Sequence, residues 1–216
     1  MTAVTKAAAQ VGGDFYDVIP SPSGDDTWVI VGDVSGHGVP AGLIMMMCQT
    51  ALRAVVAGLP RTSPSNLLAC VNRVLRHNVA ALGEERYVTL TALCISADGS
   101  VLHAGLHQDL MVYRASTGAV EVLPTDGVYL GMTDDVSALL PEGRFTLGPG
   151  DVLLLYTDGI TEAVRGGEML GPGALSGVLR RHGSAGEDAL RAAICDMIDT
   201  AEVSDDVTAV IVRKAG

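Results

Sequence analysis

The sequence predicts an α+β domain in which helices pack on antiparallel sheets. Two hairpin signals and two pairs of helical segments carry that expectation, because strands and helices come in groups. A doubly wound parallel sheet would need them to alternate singly. The 216 residues, 48% hydrophobic and 18% charged, are enough to bury a core without disulfide or metal staples. No repeat or long linker divides the chain, so one domain is expected over residues 11–216, behind a lead-in of residues 1–10.

Val11–Ile19 reads as a strand, and Pro20–Asp26, rich in Pro, Ser, Gly and Asp, as a turn. Trp28–Val31 is a continuous apolar run of the kind found in buried strands. A helix is expected from about Pro40, a residue tolerated in a first helical turn, to about Gly58. A second opens after Thr62-Ser63-Pro64 and carries Leu67, Leu68, Val71, Val74, Leu75 and Val79 at helical spacing. From Tyr87 the pattern turns to strands. Ala97-Asp98-Gly99-Ser100 joins Val88–Ser96 to Val101–Gly105 as a hairpin, and Ser116-Thr117-Gly118 separates Leu110–Arg114 from Ala119–Leu123. Pro149-Gly150-Asp151 turns into the strand Val152–Tyr156. Helices over about Gly173–Arg181 and Gly186–Thr200 follow, the second with Leu190, Ile194, Met197 and Ile198 on one face. The strand Val207–Val212 ends the pattern.

The charge narrows the function. Fourteen basic against 25 acidic residues leave a net charge of -11, which repels phosphate backbones and anionic lipid. Only 4% of residues are aromatic, too few for a base-stacking platform. Neither nucleic acid nor membrane is an expected partner. Mean hydropathy is +0.35, yet contiguous apolar runs such as Val152–Tyr156 and Leu43–Cys48 are too short to span a bilayer. The N-terminus has no apolar signal core, and Cys48, Cys70, Cys94 and Cys195 sit apart in apolar stretches as buried reduced thiols. A cytoplasmic location is expected.

Aspartates recur at strand ends. Asp33 follows Trp28–Val31, Asp158 follows Val152–Tyr156, and Asp205 and Asp206 precede Val207–Val212. If these strands are antiparallel neighbours, the carboxylates meet on one sheet edge, with Asp14 joining from the first strand. Two carboxylates 4 Å apart repel by about 4 kcal/mol at an effective dielectric of 20, so such a cluster must protonate, separate or bind cations. Two readings stand at this point. Each aspartate caps a strand or turn, or together they hold Mg²⁺ or Mn²⁺, which take oxygen ligands where zinc prefers histidine and thiolate.

The surrounding motifs favour the second. Gly12-Gly13-Asp14-Phe15-Tyr16-Asp17 and Gly32-Asp33-Val34-Ser35-Gly36-His37-Gly38-Val39-Pro40-Ala41 resemble signatures of the SpoIIE/RsbU-like branch of the metal-dependent type 2C (PPM) serine/threonine protein phosphatases. So do Leu154-Leu155-Tyr156-Thr157-Asp158-Gly159-Ile160-Thr161-Glu162-Ala163 and Ser204-Asp205-Asp206-Val207-Thr208. Three stretches between them also match: Ser63-Pro64 to Leu75, Arg86 to Leu90, and Phe145 to Asp151. The resemblance runs in order from about Gln10 to Arg213.

It implies a four-layer αββα sandwich, two antiparallel sheets flanked by helices, holding two Mn²⁺ or Mg²⁺ ions. By that resemblance Asp33 bridges the ions and Val34 offers its backbone carbonyl. Asp158 and Asp205 hold the second ion, with Asp206 as the alternative to Asp205, and Asp14 contacts the first directly or through water. The implied chemistry is in-line hydrolysis of a phosphoserine or phosphothreonine by a metal-activated water, with no covalent phosphoenzyme. The implied substrate is a phosphorylated STAS-domain anti-sigma factor antagonist, and the implied regulator an upstream sensor domain or activator protein acting through the helix pair after Asp33. Homodimerisation is compatible with the family. His37 is a secondary candidate for donating a proton to the leaving serine.

Other features are decoys or departures. Cys70 to Arg76 has the Cys-x5-Arg count of a cysteine phosphatase but lies inside a helical pattern without glycine. His103 and His107 share no helical face for zinc. Met45-Met46-Met47 is expected to pack as core. The family usually reads approximately Ala-Gly-His-Pro-Pro where this chain has Ala104-Gly105-Leu106-His107-Gln108-Asp109, which removes the stiffening prolines. Only ten residues precede Val11, where the family commonly has a longer lead-in, so an excised catalytic domain is expected. The alternatives are a non-catalytic or partner-activated module of the same fold, and a two-metal nuclease, which the net charge disfavours.

Overall fold

The computed structural model describes residues 1–7, 11–22 and 24–215. The end of the expected lead-in, Ala8 to Gln10, Ser23 of the expected first turn, and Gly216 lie outside the described residues. In chain order the elements are β1 (Thr2–Lys6), β2 (Phe15–Pro20), β3 (Asp26–Val34), α1 (Val39–Gly58), α2 (Pro64–Ala81), β4 (Val88–Ser96), β5 (Ser100–Leu106), β6 (Leu110–Tyr113) and β7 (Val120–Leu123). A 3-10 turn (Ser137–Leu139) precedes β8 (Glu142–Thr146), β9 (Val152–Tyr156), α3 (Asp158–Thr161), β10 (Val164–Arg165), β11 (Glu168–Met169), α4 (Gly171–His182), α5 (Glu187–Asp199) and β12 (Val207–Arg213). They form two compact units, each with a five-stranded antiparallel sheet and its own helix pair, which is the expected α+β class.

One unit comprises residues 11–107 and 125–146, with strand order β2-β3-β4-β5-β8. The predicted hairpin closes as expected: Asp98 Oδ1 accepts from the Ser100 N–H at 2.8 Å. α1 buries Ala41, Ile44, Cys48, Leu52 and Val56, one stripe at three- and four-residue spacing, against β2 and β3. α2 starts where Ser63 Oγ accepts from the Asn66 N–H, a side-chain cap on an otherwise orphan donor. Its apolar stripe packs on β4 and β5, and the core gathers Trp28, Ile30, Leu52, Leu68, Leu75 and Leu90. One expectation needs correction. Met45 and Met47 pack against the core, but Met46 is 61% exposed, because the stripe that faces the sheet passes through Ile44 and Cys48. By length and composition alone α1 is apolar enough to cross a membrane, a property that a helix packed on a core shares.

The other unit comprises residues 1–10, 108–124 and 147–216, with strand order β1-β12-β9-β6-β7. β1 lies inside the expected lead-in and pairs with β12 from Thr2↔Ile211 to Lys6↔Val207. Its Thr-Ala-Val-Thr-Lys sequence carries no strong alternation, as an edge strand with no buried residue need not. α4 and α5 pack on each other and bury Leu175, Leu179 and the predicted face Leu190, Ile194, Met197 and Ile198 with Leu154, Tyr156 and Ile211. The turn before β9 is pinned by Asp151, whose carboxylate accepts from Arg114 Nη1 at 2.8 Å and from the N–H groups of Ala115 and Gly148 at 2.9 and 3.0 Å.

Candidate functional site

The first group of predicted residues stands where β2 begins and β3 ends. The antiparallel register pairs Phe15 with Gly32, and one step further sets Asp14 at the position opposite Asp33. Three oxygens crowd the α-carbon of Gly13. A Cβ there would stand 2.6 Å from Asp33 Oδ1 and 3.2 Å from the Gly36 carbonyl, and would collide with the Val34 carbonyl. The Val34 N–H donates to the Gly13 carbonyl at 3.2 Å, which fixes the approach. Glycine at this position lets a carboxylate and two carbonyls share one corner. That oxygen-only donor set fits a hard divalent cation.

The second group lies at the end of β9 and the start of β12. Tyr156 pairs with Ala209, and the Thr157 N–H donates to the Thr208 carbonyl at 3.0 Å while Thr157 Oγ1 accepts from the Thr208 N–H at 2.9 Å. This register brings Asp158, the first residue of α3, beside Asp205. Burial, and then the negative charge of Asp205, push the Asp158 carboxyl above its ordinary value, against the pull of the N–H groups of Asp158 and Gly159. Asp205 is exposed, with its Oδ1 accepting from the Asp206 N–H at 2.8 Å, whereas Asp206 is buried. Asp205 is therefore the carboxylate whose charge acts on Asp158. A Cβ on Gly159 would collide with the Asp206 carbonyl, so residue 159 must be glycine for α3 to approach this turn. Two carboxylates held in mutual repulsion are what a bound cation relieves.

Strand pairing thus gathers the aspartates in two pairs and not along one sheet edge. β3 belongs to one sheet and β9 and β12 to the other, which corrects the single-edge reading. Among the described residues no three His, Cys, Asp or Glu side chains draw together as a ready-made metal cage. His37 is exposed on the turn between Gly36 and Gly38, both at positive φ.

Sequence reasoning missed the surroundings of Asp33. Thr89, its cross-strand partner, directs Oγ1 to the Asp33 carbonyl at 3.5 Å and lies 2.9 Å from His107 Nδ1. Thr125 fixes the His107 backbone, donating to its carbonyl at 2.6 Å and accepting from its N–H at 3.1 Å. The signal is in the departure at Leu106–Asp109, where the histidine stands at position 107, one place later than in the family pattern. His103 is instead buried in β5 against Phe145, where burial holds its imidazole below the ordinary value. Cys70 and Arg76 lie within the unbroken α2, so no phosphate loop forms there.

This fold is that of the PP2C-type phosphatase domain. The structure of the RsbU and RsbW domains of Rv1364c from Mycobacterium tuberculosis superposes with a TM-score of 0.82 at 24% identity, over 99% of this chain and 59% of that one. The SiaA-PP2C domain of Pseudomonas aeruginosa gives 0.81 at 22% identity, over 98% of this chain and 85% of that one. The chain belongs to the SpoIIE family: the model described as Stage II sporulation protein E (SpoIIE) matches residues 23–215. Phosphoserine phosphatase RsbU of Bacillus subtilis (strain 168) is 26% identical over 98% of this chain. The chain spans 62% of the length of that relative.

Proposed function

We propose that this chain is a Mn²⁺- or Mg²⁺-dependent protein serine/threonine phosphatase. Its substrate is a phosphoserine or phosphothreonine on a regulatory protein, a STAS-domain anti-sigma factor antagonist, in the cytoplasm. The observation that carries the reading is the Asp158–Asp205 pair, two carboxylates held in repulsion by a backbone turn that only Gly159 permits. Family membership supports it, as does the name of the RsbU relative. Asp14, Asp33 and the Val34 carbonyl would hold one ion, and Asp158 and Asp205 would hold another. When bound, the cations supply an activated water and neutralise charge on the phosphoryl oxygens. Exposed His37 would donate a proton to the leaving serine oxygen.

The test is phosphate release from a phosphoserine peptide and from a phosphorylated STAS protein, with and without Mn²⁺, beside Asp158→Asn. Mn²⁺-dependent release that the substitution abolishes is expected. Metal-independent release, or release indifferent to Asp158→Asn, contradicts the reading. A second reading, a module awaiting a sensor domain or activator, rests on the short Ser35–Gly38 link between Val34 and α1. It is contradicted by full activity of this chain alone.

A further inference from the structure

The turn that carries Val34 into α1 is held by a residue outside the proposed ligands. Arg86, four residues beyond the α2 C-cap Leu82, donates from Nη1 to the Ser35 carbonyl at 2.5 Å and from Nε to Glu84 Oε2 at 3.0 Å. Its guanidinium occupies the space over Gly36. A Cβ on Gly36 would meet Nη1 and displace the guanidinium, and the residue's φ of +78 favours glycine. The neighbouring Tyr87 completes the clasp: its N–H donates to Ser35 Oγ at 3.0 Å and its carbonyl accepts from the Ser35 N–H at 2.9 Å. Tyr87 in turn stacks on Tyr129 with ring centroids 4.7 Å apart. Glu84 is tied back to α2, its N–H donating to the Val79 carbonyl at 3.2 Å.

We infer that Arg86 is a positioning residue for the metal-holding turn. Anchored on Glu84 at the end of α2, its guanidinium fixes the Ser35 peptide, and the Val34 and Gly36 carbonyls on either side stay turned toward the corner that Asp33 shares. A lysine cannot reproduce this, because a single ammonium does not span Glu84 and the Ser35 carbonyl in the fixed fork that a guanidinium presents. The link ties the end of α2, through Glu84 and Arg86, to the Ser35 carbonyl next to Val34.

This inference rests on the functional reading above, and one experiment separates the two. Arg86→Ala and Arg86→Lys are compared with the native chain by amide hydrogen exchange without metal, by Mn²⁺ titration calorimetry, and by the Mn²⁺ dependence of phosphate release. Faster exchange at Ser35 and Tyr87, with β3 protection unchanged, is expected in Arg86→Ala. A rise of at least about tenfold in the Mn²⁺ concentration for half-saturation accompanies it, as for loss of a group that orients metal ligands. Excess Mn²⁺ restores turnover, KM for the phosphopeptide stays constant, and Arg86→Lys recovers only part of the loss. Native exchange at the turn, or native Mn²⁺ affinity in Arg86→Ala, overturns the inference. If the native chain takes up no Mn²⁺ the functional reading falls, and exchange alone then decides whether Arg86 holds the turn.

Discussion

Single side chains in this molecule fix backbone that no regular element secures. Asn72 is fully buried on α2; its Nδ2 donates to the Thr133 carbonyl at 2.8 Å and its Oδ1 accepts from the Gly131 N–H at 2.8 Å. Asn72→Ala strands both partners and is expected to lower stability by ~3 kcal/mol, read from urea unfolding. An unchanged midpoint contradicts this. Asp151 makes a claim about pH. Burial raises its carboxyl, but hydrogen bonds from Arg114, Ala115 and Gly148 outweigh that and leave it below the ordinary value. The unfolded chain then binds the proton more readily, so the contribution of Asp151 is complete above the ordinary carboxylate range and is lost as pH falls through the depressed value. Asp151→Asn is expected to cost about 2 kcal/mol at pH 7 and progressively less in acid, measured by unfolding across that range. Equal loss at every pH sinks the argument.

At the scale of elements, the attachment of α1 is the feature with most consequence. Asp17, 4% exposed on β2, accepts from Arg53 Nη2 of α1 at 2.5 Å and from the Val18 N–H at 2.9 Å. Its Oδ2 is buried without a hydrogen-bond partner among the described residues. Arg53→Met leaves that buried carboxylate without its counter-charge and is expected to destabilise by about 2 kcal/mol, while Asp17→Val with Arg53→Met recovers most of it. Additive losses in the double variant, by thermal melts, contradict a specific latch. Asp17 belongs to the motif that resembled a phosphatase signature, yet its structural part was invisible in sequence, because only folding reveals that residue 17 faces α1. The long elements were legible for the converse reason: α1, α2, α5, β4 and β9 state their apolar period within their own residues. β1, β8 and the β10–β11 ribbon did not, since short or half-exposed strands draw their pairing from distant partners. Asp33 and Asp158 were singled out by their adjacent glycines and Asp205 by its place before the last strand, whereas the contacts of Arg86 and His107 join segments far apart in sequence.

For the molecule as a whole, the proposal is that each unit's pair of aspartates holds a divalent cation. Each pair is assembled by its own strand register, and each depends on a glycine that admits a backbone carbonyl, Gly13 in one and Gly159 in the other. The most direct test is Mn²⁺ titration calorimetry of the metal-free chain beside Asp33→Asn and Asp158→Asn. Binding to the native protein, weakened at least about tenfold by either substitution alone, is the predicted result. No Mn²⁺ uptake by the folded native chain, or uptake that ignores both substitutions, would contradict it.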